Sequence, residues 1–239
     1  PREVLFIDEI HRLRKTSEEM LYKAMEEFAL DIMIGQGPSA RIMRLEINPF
    51  TIVGATTKMN LLSSPLRDRF GMSFHLDYYE VGDIEQILTR SAMILNVPLE
   101  NGAVGEVARR ARRTPRVANR LLKRVRDWAQ VSNKKNITPE LVREVLQKLE
   151  IDDFGLDRTD RRILEVLINQ FRGEPTGLKT IAAATGEELE TVEDIYEPYL
   201  LQLGFLERTP RGRTATAKAR EHLNLPAGGG SALGGKSEI

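Results

Sequence analysis

The sequence predicts three successive parts: an α/β unit with a parallel sheet, an all-helical domain, and a winged helix-turn-helix. The first part is indicated by two short apolar runs, at residues 4–7 and 50–55, that each end in polar residues. Runs of this kind are typical of fully buried parallel strands, whose carboxyl ends face a ligand crevice. The other two parts are indicated by apolar residues at helical spacing up to residue 203, followed by a short hairpin with a basic tip.

The elements of the α/β unit can be predicted in chain order. After the first strand, Thr16 and Glu19 form a candidate capping box for an amphipathic helix of about three turns. Two arms that flank a Gly/Pro/Ser turn then predict a β-hairpin at residues 31–47, because the second arm alternates in polarity. A strand, a helix and a second strand make the crossover unit of a parallel sheet. The hairpin is therefore an insertion in that unit, which we place at residues 1–82.

Helical periodicity divides the rest of the chain. Residues 83–152 are predicted to hold about four helices, with breaks at proline-containing turns. Residues 152–155 resemble a linker. Three further helical patterns and the basic hairpin make the winged helix at 153–225. The Gly- and Ser-rich tail at 226–239 has the composition of a disordered segment.

Composition limits the classes of protein to which this chain can belong. Its 239 residues include 35 basic and 35 acidic side chains and no cysteine, which excludes a disulfide scaffold and thiolate metal sites. No apolar run approaches the length of a membrane span, so we expect a soluble, cytoplasmic protein. The chain starts at Pro1, only three residues before a strand. We therefore expect it to be a fragment that lacks an upstream part.

Two adjacent carboxylates, Asp8 and Glu9, end the first strand. Neighbouring residues of an extended chain point to opposite faces, so the two suit different tasks. Asp8 is placed to hold Mg²⁺ through its water shell, and Glu9 to polarise a water that attacks a γ-phosphate. Thr56 and Thr57 end the second strand, where a hydroxyl can sense phosphate or position that water. The alternatives are a solvated acidic turn and two ordinary β-strand threonines.

Arginines mark three other candidate sites. Arg69 follows a short predicted helix and suits an arginine finger that reaches a neighbouring subunit, the alternative being a surface ion pair with Asp68. Between Ala108 and Arg126 there are eight arginines, one lysine and no acid, and Arg116, at a helix start, is the candidate for phosphate contact. A hairpin tip suits phosphate contacts without base readout, unless it is merely a solvent-exposed loop. Its candidate contacts are Arg208, Arg211 and Arg213.

The three histidines, His11, His75 and His222, are too scattered for a metal site. We expect His11 to orient or pack against its neighbours.

Taken together, these strings resemble the bacterial Holliday-junction branch-migration motors, which are AAA+ ATPases. The resemblance extends nearly over the whole chain, and its strings are LFIDEIHRL (5–13), DIMIGQGPSAR (31–41), GATT (54–57), SPLRDRFG (64–71), RTPRVANRLLKRVRD (113–127) and RTPRGRTATAKA (208–219). It implies the C-terminal part of an α/β AAA+ P-loop ATPase core, then a helical lid and a winged helix. It also implies ATP and Mg²⁺ as ligands and a homohexameric ring.

The resemblance implies roles for single residues as well. Asp8 and Glu9 correspond to the Walker B pair, Thr57 (or Thr56) to sensor 1, Arg69 to the trans-acting finger and Arg116 to sensor 2. Positions near the nucleotide correspond to Glu26, Glu27, Phe28 and Tyr79. The hairpin, with Met43 and Leu45 on its apolar face, corresponds to the surface that docks the junction-binding partner RuvA, and RuvC joins the assembly at the junction. The wing arginines correspond to contacts with double-stranded DNA.

One expected motif is missing. The family's phosphate-binding loop, GxxxxGK[ST], has no match in these 239 residues. We therefore expect this chain alone to bind ATP poorly and to hydrolyse it negligibly. Two alternatives to a motor remain: a DNA-binding initiator or clamp-loader-like switch, and a non-catalytic fragment that only binds DNA or a partner.

Overall fold

The computed structural model describes residues 3–35 and 41–224 and divides into two compact units, one ending at Leu76 and one beginning at Asp77. The predicted hairpin turn at 36–40 and the predicted disordered tail at 226–239 lie outside the described residues. Within the described ranges, no helix combines the length and the apolar character that a bilayer span requires.

The first unit contains the predicted crossover and hairpin. In chain order its main elements are β1 (Val4–Ile7), α1 (Lys15–Glu27), β2 (Ala29–Ile34), β3 (Arg41–Glu46), β4 (Thr51–Gly54) and α2 (Ser64–Asp68). β1 and β4 pair in parallel, with Val4 opposite Thr51 and Ile7 opposite Gly54, while β2 and β3 pair antiparallel. The predicted capping box is wrong, because α1 begins after Arg14 and no side chain caps it.

The prediction that the first strand is fully buried is also wrong. Val4 and Phe6 are 64% and 60% exposed. Among the described residues this sheet consists of β1 and β4 alone. A parallel strand becomes buried only where neighbouring strands and helices cover both of its faces, and these two strands lack that cover.

The second unit begins with four helices, as predicted: α3 (Val81–Ile94), α4 (Ala103–Arg109), α5 (Pro115–Val131) and α6 (Pro139–Lys148). α5 and α6 both start with a proline, whose fixed φ suits a first turn. Their apolar faces meet in one core around Leu88, Leu122 and Val142, which are fully buried. The charged residues of α5 therefore remain on the outer faces of this bundle.

The winged helix follows from residue 156 onwards. Its elements are α7 (Arg158–Glu165) with a π-helical turn at Val166–Gln170, α8 (Leu178–Thr185), α9 (Leu189–Thr191) with a π-helical turn at Val192–Tyr196, α10 (Glu197–Gln202), β5 (Leu206–Thr209), β6 (Gly212–Ala215) and α11 (Ala217–His222). β5 and β6 form the predicted wing. Gly212 has φ +144°, and a Cβ at this position would lie 2.5 Å from the carbonyl oxygen of Thr176. The wing can therefore approach the backbone at Thr176 this closely only because residue 212 is glycine.

Residues 152–155 are not a slack linker. The Asp152 carboxylate accepts the backbone N–H groups of Phe154 and Leu156 at 2.9 Å, and its other oxygen lies 2.8 Å from His222 Nε2 on α11. The sequence of this segment resembles a linker. Its contacts instead fold it into a tight turn that is fixed to the winged helix.

Candidate nucleotide and DNA sites

Four side chains converge where β1 and β4 end. Glu9 has φ +48°, and this left-handed turn brings its carboxylate to Thr57, whose hydroxyl and backbone N–H lie 3.2 and 3.5 Å from Oε2. His11 Nδ1 lies 3.2 Å from the same Oε2 and 2.8 Å from the Thr56 hydroxyl. We name Glu9, His11, Thr56 and Thr57 the strand-end cluster. It brings three of the predicted residues together and adds His11 as the residue that orients Glu9.

Asp8 stands apart from this cluster. It is exposed, and one of its oxygens accepts the backbone N–H of Glu9 at 3.0 Å. No group of three or more His, Cys, Asp or Glu able to hold a metal ion occurs within residues 3–35 and 41–224. A single exposed carboxylate does not chelate a bare ion, but it fits a hydrated Mg²⁺ that keeps several waters. The donor set therefore suits a magnesium nucleotide rather than a resident metal.

The candidate finger, Arg69, is held by its own protomer. Nη2 lies 2.8 Å from Glu26 on α1, Nη1 donates to the Pro65 carbonyl at 2.7 Å, and the guanidinium stacks 4.4 Å from the centre of the Tyr22 ring. Its Nε is buried and has no hydrogen-bond partner. An unpaired buried N–H is costly, so this guanidinium is not fully satisfied by its hydrogen bonds in the described conformation.

The residues assigned near the nucleotide separate in the structure. Glu26 and Glu27 end α1, and their side chains contact Arg69 and Arg44, the latter at 2.7 Å, rather than the strand-end cluster. Phe28 follows with φ +49° and terminates the helix. Glu26 therefore belongs with the candidate finger, and Glu27 with the hairpin.

In the second unit, Tyr79 precedes α3 and Arg116 lies at the start of α5. The backbone N–H and carbonyl of Tyr79 bond to the carbonyl and Nε of Arg113, at 3.2 and 2.8 Å. Arg116, on the first turn of α5, lines an open recess together with Asn119, Arg120, Lys123, Arg124 and Asp127. This recess is strongly cationic, which suits an anionic ligand such as a phosphate.

Most other arginines of the basic run are used in ion pairs. Arg109 and Arg110 pair with Glu106, Arg113 with Glu80, and Arg126 with Asp127. Burial by itself raises the pKa of Glu106, but the hydrogen bond from Arg110 and the other nearby arginines outweigh it and hold that pKa below its usual value. Glu106 and Asp127 flank the interval closely in the sequence, whereas the pairing of Arg113 with Glu80, 33 residues away, could be seen only after folding.

The wing arginines are not equivalent. Arg211 is exposed at the hairpin tip. Arg208 and Arg213 instead converge on Glu197, which is only 1% exposed: Nε of Arg208 lies 2.7 Å and Nε of Arg213 lies 2.8 Å from Oε1. Glu197 lies on α10 and was not identified from the sequence. A glutamate at the start of a helix gives no signal that two arginines of a later hairpin will reach it.

The helices that precede the wing are acidic. Between Lys179 and Arg208 the chain carries no basic residue. It carries seven carboxylates there, at Glu187, Glu188, Glu190, Glu193, Asp194, Glu197 and Glu207, of which Glu197 is buried and Glu207 lies on β5. A surface with this charge is repelled by DNA phosphates, which leaves the wing as the cationic edge of the domain.

The β2–β3 hairpin exposes apolar side chains on its strands. Met43 pairs with Ile32 and Leu45 with Leu30, and Met43 and Leu45 are both more than two-fifths exposed. Exposed apolar side chains grouped on one element are typical of a surface that binds another protein.

Comparison with known proteins agrees with this arrangement. Three family models match successive parts of the chain: the Holliday junction DNA helicase RuvB P-loop domain at residues 1–76, the RuvB AAA lid domain at 79–152, and the RuvB C-terminal winged helix domain at 153–224. The Holliday junction branch migration complex subunit RuvB of Nitratidesulfovibrio vulgaris is 57% identical over 224 residues, which are 93% of this chain and 70% of that protein. The chain belongs to the RuvB family.

Further RuvB proteins give the same result. The RuvB subunit of Microcystis aeruginosa is 54% identical over 95% of this chain, and the chain spans 63% of that relative's length. The Thermotoga maritima RuvB Holliday junction branch migration motor superposes with a TM-score of 0.81 at 48% identity, covering 95% of this chain and 72% of that structure. The predicted fold class, an AAA+ P-loop core with a helical lid and a winged helix, is confirmed.

Proposed function

We propose that this chain acts in an ATP-driven DNA motor for Holliday-junction branch migration during recombination and repair. The observation that carries the proposal is the strand-end cluster, in which Thr57 and His11 fix the Glu9 carboxylate beside the exposed Asp8. Membership of the RuvB family supports it. We assign residues 1–82 to the ATPase core, 83–152 to the lid and 153–225 to the DNA-contacting domain.

The chain's own residues have separate tasks in hydrolysis. Bound ATP with Mg²⁺ supplies the phosphoanhydride bond whose cleavage drives motion. Asp8 would hold Mg²⁺ through its water shell, and Glu9 orients an attacking water and accepts its proton as the bond to ADP breaks. The Thr57 hydroxyl donates a hydrogen bond to Oε2 of Glu9. This bond fixes the orientation of the carboxylate, and therefore the direction in which its other oxygen can accept a proton from water.

Two arginines complete the site from other places. Arg116 contacts nucleotide phosphate from the lid, where the cationic recess supports such a role. Arg69 acts on a neighbouring subunit's nucleotide, and its place directly after α2, within the string SPLRDRFG that resembles the family, supports that role. In the conformation described here its Nη2 is held by Glu26, so engagement requires this ion pair to open.

The partners follow from the surfaces. Arg211 and its neighbours on the wing contact the phosphates of double-stranded DNA without reading bases, and the acidic α9–α10 region stays outside the groove. RuvA docks on the apolar hairpin face around Met43 and Leu45, and RuvC joins at the junction. We further propose a homohexameric ring that works in the cytoplasm.

The test is DNA-stimulated ATP hydrolysis by this chain, alone and joined to an upstream segment that carries the phosphate-binding loop GxxxxGK[ST] expected for the family. Restoration should switch on turnover. Glu9→Gln should then lower the turnover number by at least about a hundredfold while ATP still binds, because the general base is lost. Glu19→Gln, an exposed glutamate on α1, is the matched control and should leave turnover unchanged.

Arg69→Ala should lower turnover by about 10³-fold, the range of a trans-acting finger. Equimolar mixing with the Glu9→Gln protein should restore part of the activity, because some interfaces then combine an intact Glu9 with an intact Arg69. Normal hydrolysis by Glu9→Gln would refute the role of the base. A restored protein that binds DNA without turnover would favour the switch or the binding module.

A further inference from the structure

The loop between α4 and α5 has an unusual backbone. Arg112 and Arg113 are consecutive and both adopt left-handed conformations, with φ +51° and +54°. Such conformations are unfavourable for residues other than glycine and persist only where surrounding contacts hold them. The side chains of the two arginines go to different places: Arg113 binds Tyr79 and Glu80 before α3, and Arg112 binds residues of the winged helix.

The Arg112 guanidinium is 12% exposed and makes contacts only beyond the lid. Nε donates to the Gly155 carbonyl at 3.0 Å, and Nη2 donates to Asp157 at 3.1 Å and to Asp160. Asp160 is 0% exposed. The guanidinium carbon also lies 5.1 Å from the centre of the Tyr199 ring. One lid side chain therefore joins the turn, the first helix and the core of the winged helix.

A second arginine of the same loop reinforces this connection. Arg110 bonds Glu106 within the lid and Asp153 in the turn that leads to the winged helix. Gly155 has φ +73°, and a Cβ at this position would lie 2.5 Å from the Arg110 carbonyl oxygen. The turn therefore rests directly on the loop, and no spare chain is present between the two domains. We name Arg110, Arg112, Gly155 and Asp160 the interdomain clamp.

In the sequence, the interdomain clamp lies close to Arg116, the candidate residue for contact with nucleotide phosphate. Only Arg113, Thr114 and Pro115 separate Arg112 from Arg116. Arg116 lies on the first turn of α5, which packs through Leu122 into the lid core. Three intervening residues of chain and the contacts of Arg112 therefore connect Arg116 of the lid to the winged helix.

We propose that Arg112 is a positioning residue that locks the winged helix to the lid, so that both move as one body when the lid turns. This inference deepens the proposed motor function and rests on it for its mechanical consequence. The rigidity itself belongs to this chain and can be measured without turnover.

The first experiment measures rigidity in the chain as it stands. The protein has no cysteine, so two introduced cysteines can carry the only spin labels. Labels at the exposed positions Arg90→Cys on α3 and Lys179→Cys on α8 report a single distance between the lid and the winged helix. We expect a narrow distance distribution in the parent and one about twice as wide in Arg112→Ala and in Gly155→Ala. Arg143→Ala, which removes an ion-paired arginine within the lid, should leave the distribution narrow.

Arg112→Ala leaves the buried Asp160 without its partner and therefore risks unfolding the winged helix. The double variant Arg112→Met with Asp160→Asn avoids this, because it removes both charges together. It should fold and still show the wide distribution. A distribution that stays narrow in this folded double variant and in Gly155→Ala would overturn the clamp.

The second experiment measures coupling in the form that carries the upstream segment. The double variant should keep DNA-stimulated ATP hydrolysis within about twofold and lose about tenfold or more of branch migration, whereas Arg143→Ala should keep both. A purely structural role would lower both rates together, and that result would overturn the positioning role. If the unsubstituted protein with the upstream segment never hydrolysed ATP, the proposed function would be overturned. The interdomain clamp would not be affected, because the distances between the spin labels test it separately.

Discussion

Replacement of Glu197 by glutamine tests the role of the wing's buried carboxylate. Glu197 is 1% exposed and accepts three N–H groups: Nε of Arg208 at 2.7 Å, Nε of Arg213 at 2.8 Å and Nη2 of Arg213 at 3.2 Å. Glutamine keeps the shape and one acceptor oxygen. It removes the charge and turns an amide donor toward two guanidinium groups, which have no acceptor of their own.

The loss of stability depends on how deeply Glu197, Arg208 and Arg213 are buried. Removal of one partner from a buried ion pair costs about 3–5 kcal/mol. Here the arginine side chains are 57% and 23% exposed, so both can regain water after the change. We therefore expect the free energy of unfolding to fall by about 2–3 kcal/mol, the lower part of that range.

The effect should also depend on pH. Burial by itself raises the pKa of Glu197, but the hydrogen bonds from Arg208 and Arg213 outweigh it and hold the pKa below the ordinary 4.5. A lowered folded-state pKa gives stability that is complete above the unfolded-state value and is lost as pH falls through the folded-state value. The difference between wild type and Glu197→Gln should therefore be largest near neutral pH and shrink below about pH 4.5.

Urea unfolding followed by far-UV circular dichroism measures this difference. Glu190→Gln, an exposed carboxylate on α9, is the matched control and should change stability by less than about 0.5 kcal/mol. DNA binding gives an independent readout, because the variant frees two cations: log K should fall more steeply with log salt than in the wild type. A variant as stable as the control, with an unchanged salt slope, would refute the reasoning.

Three further predictions concern other parts of the chain. Arg211→Ala should weaken DNA binding about equally across sequences and reduce the salt slope by about 1, as expected for one lost phosphate contact; a change in sequence preference would contradict this. Burial raises the pKa of Asp160 from 3.8 to about 7, so the folded state keeps a proton that the unfolded state releases, and stability falls as pH rises across that interval. Urea titrations should show the free energy of unfolding of wild type, relative to Asp160→Asn, decreasing by at most about 4 kcal/mol over the interval, and a constant difference would contradict the buried carboxyl. Leu122→Ala, in the fully buried lid core, should cost about 2–5 kcal/mol and lower the unfolding midpoint reported by Trp128, the single tryptophan.

The sequence predicted the elements whose signals are local. The two strands, the hairpin, four lid helices and the wing were all correct, because periodicity and turn residues act over a few positions. The association of Glu9 with Thr57 was also predictable, since the carboxyl ends of neighbouring parallel strands lie together. The exposure of β1 could not be predicted from the sequence, because it depends on which other elements cover the sheet.

The pairing of charges that lie far apart in the sequence was decided only by the tertiary structure. Arg213 meets Glu197 across 16 residues, and Arg112 meets Asp160 across 48. In both cases a basic residue that resembles a free nucleic-acid contact is hydrogen-bonded to a buried acid instead. Local sequence by itself determined which side chains are charged and on which element each lies. The packing of separate helices decided which charges face water, because an ion pair depends on distances of a few ångströms that only the folded chain sets.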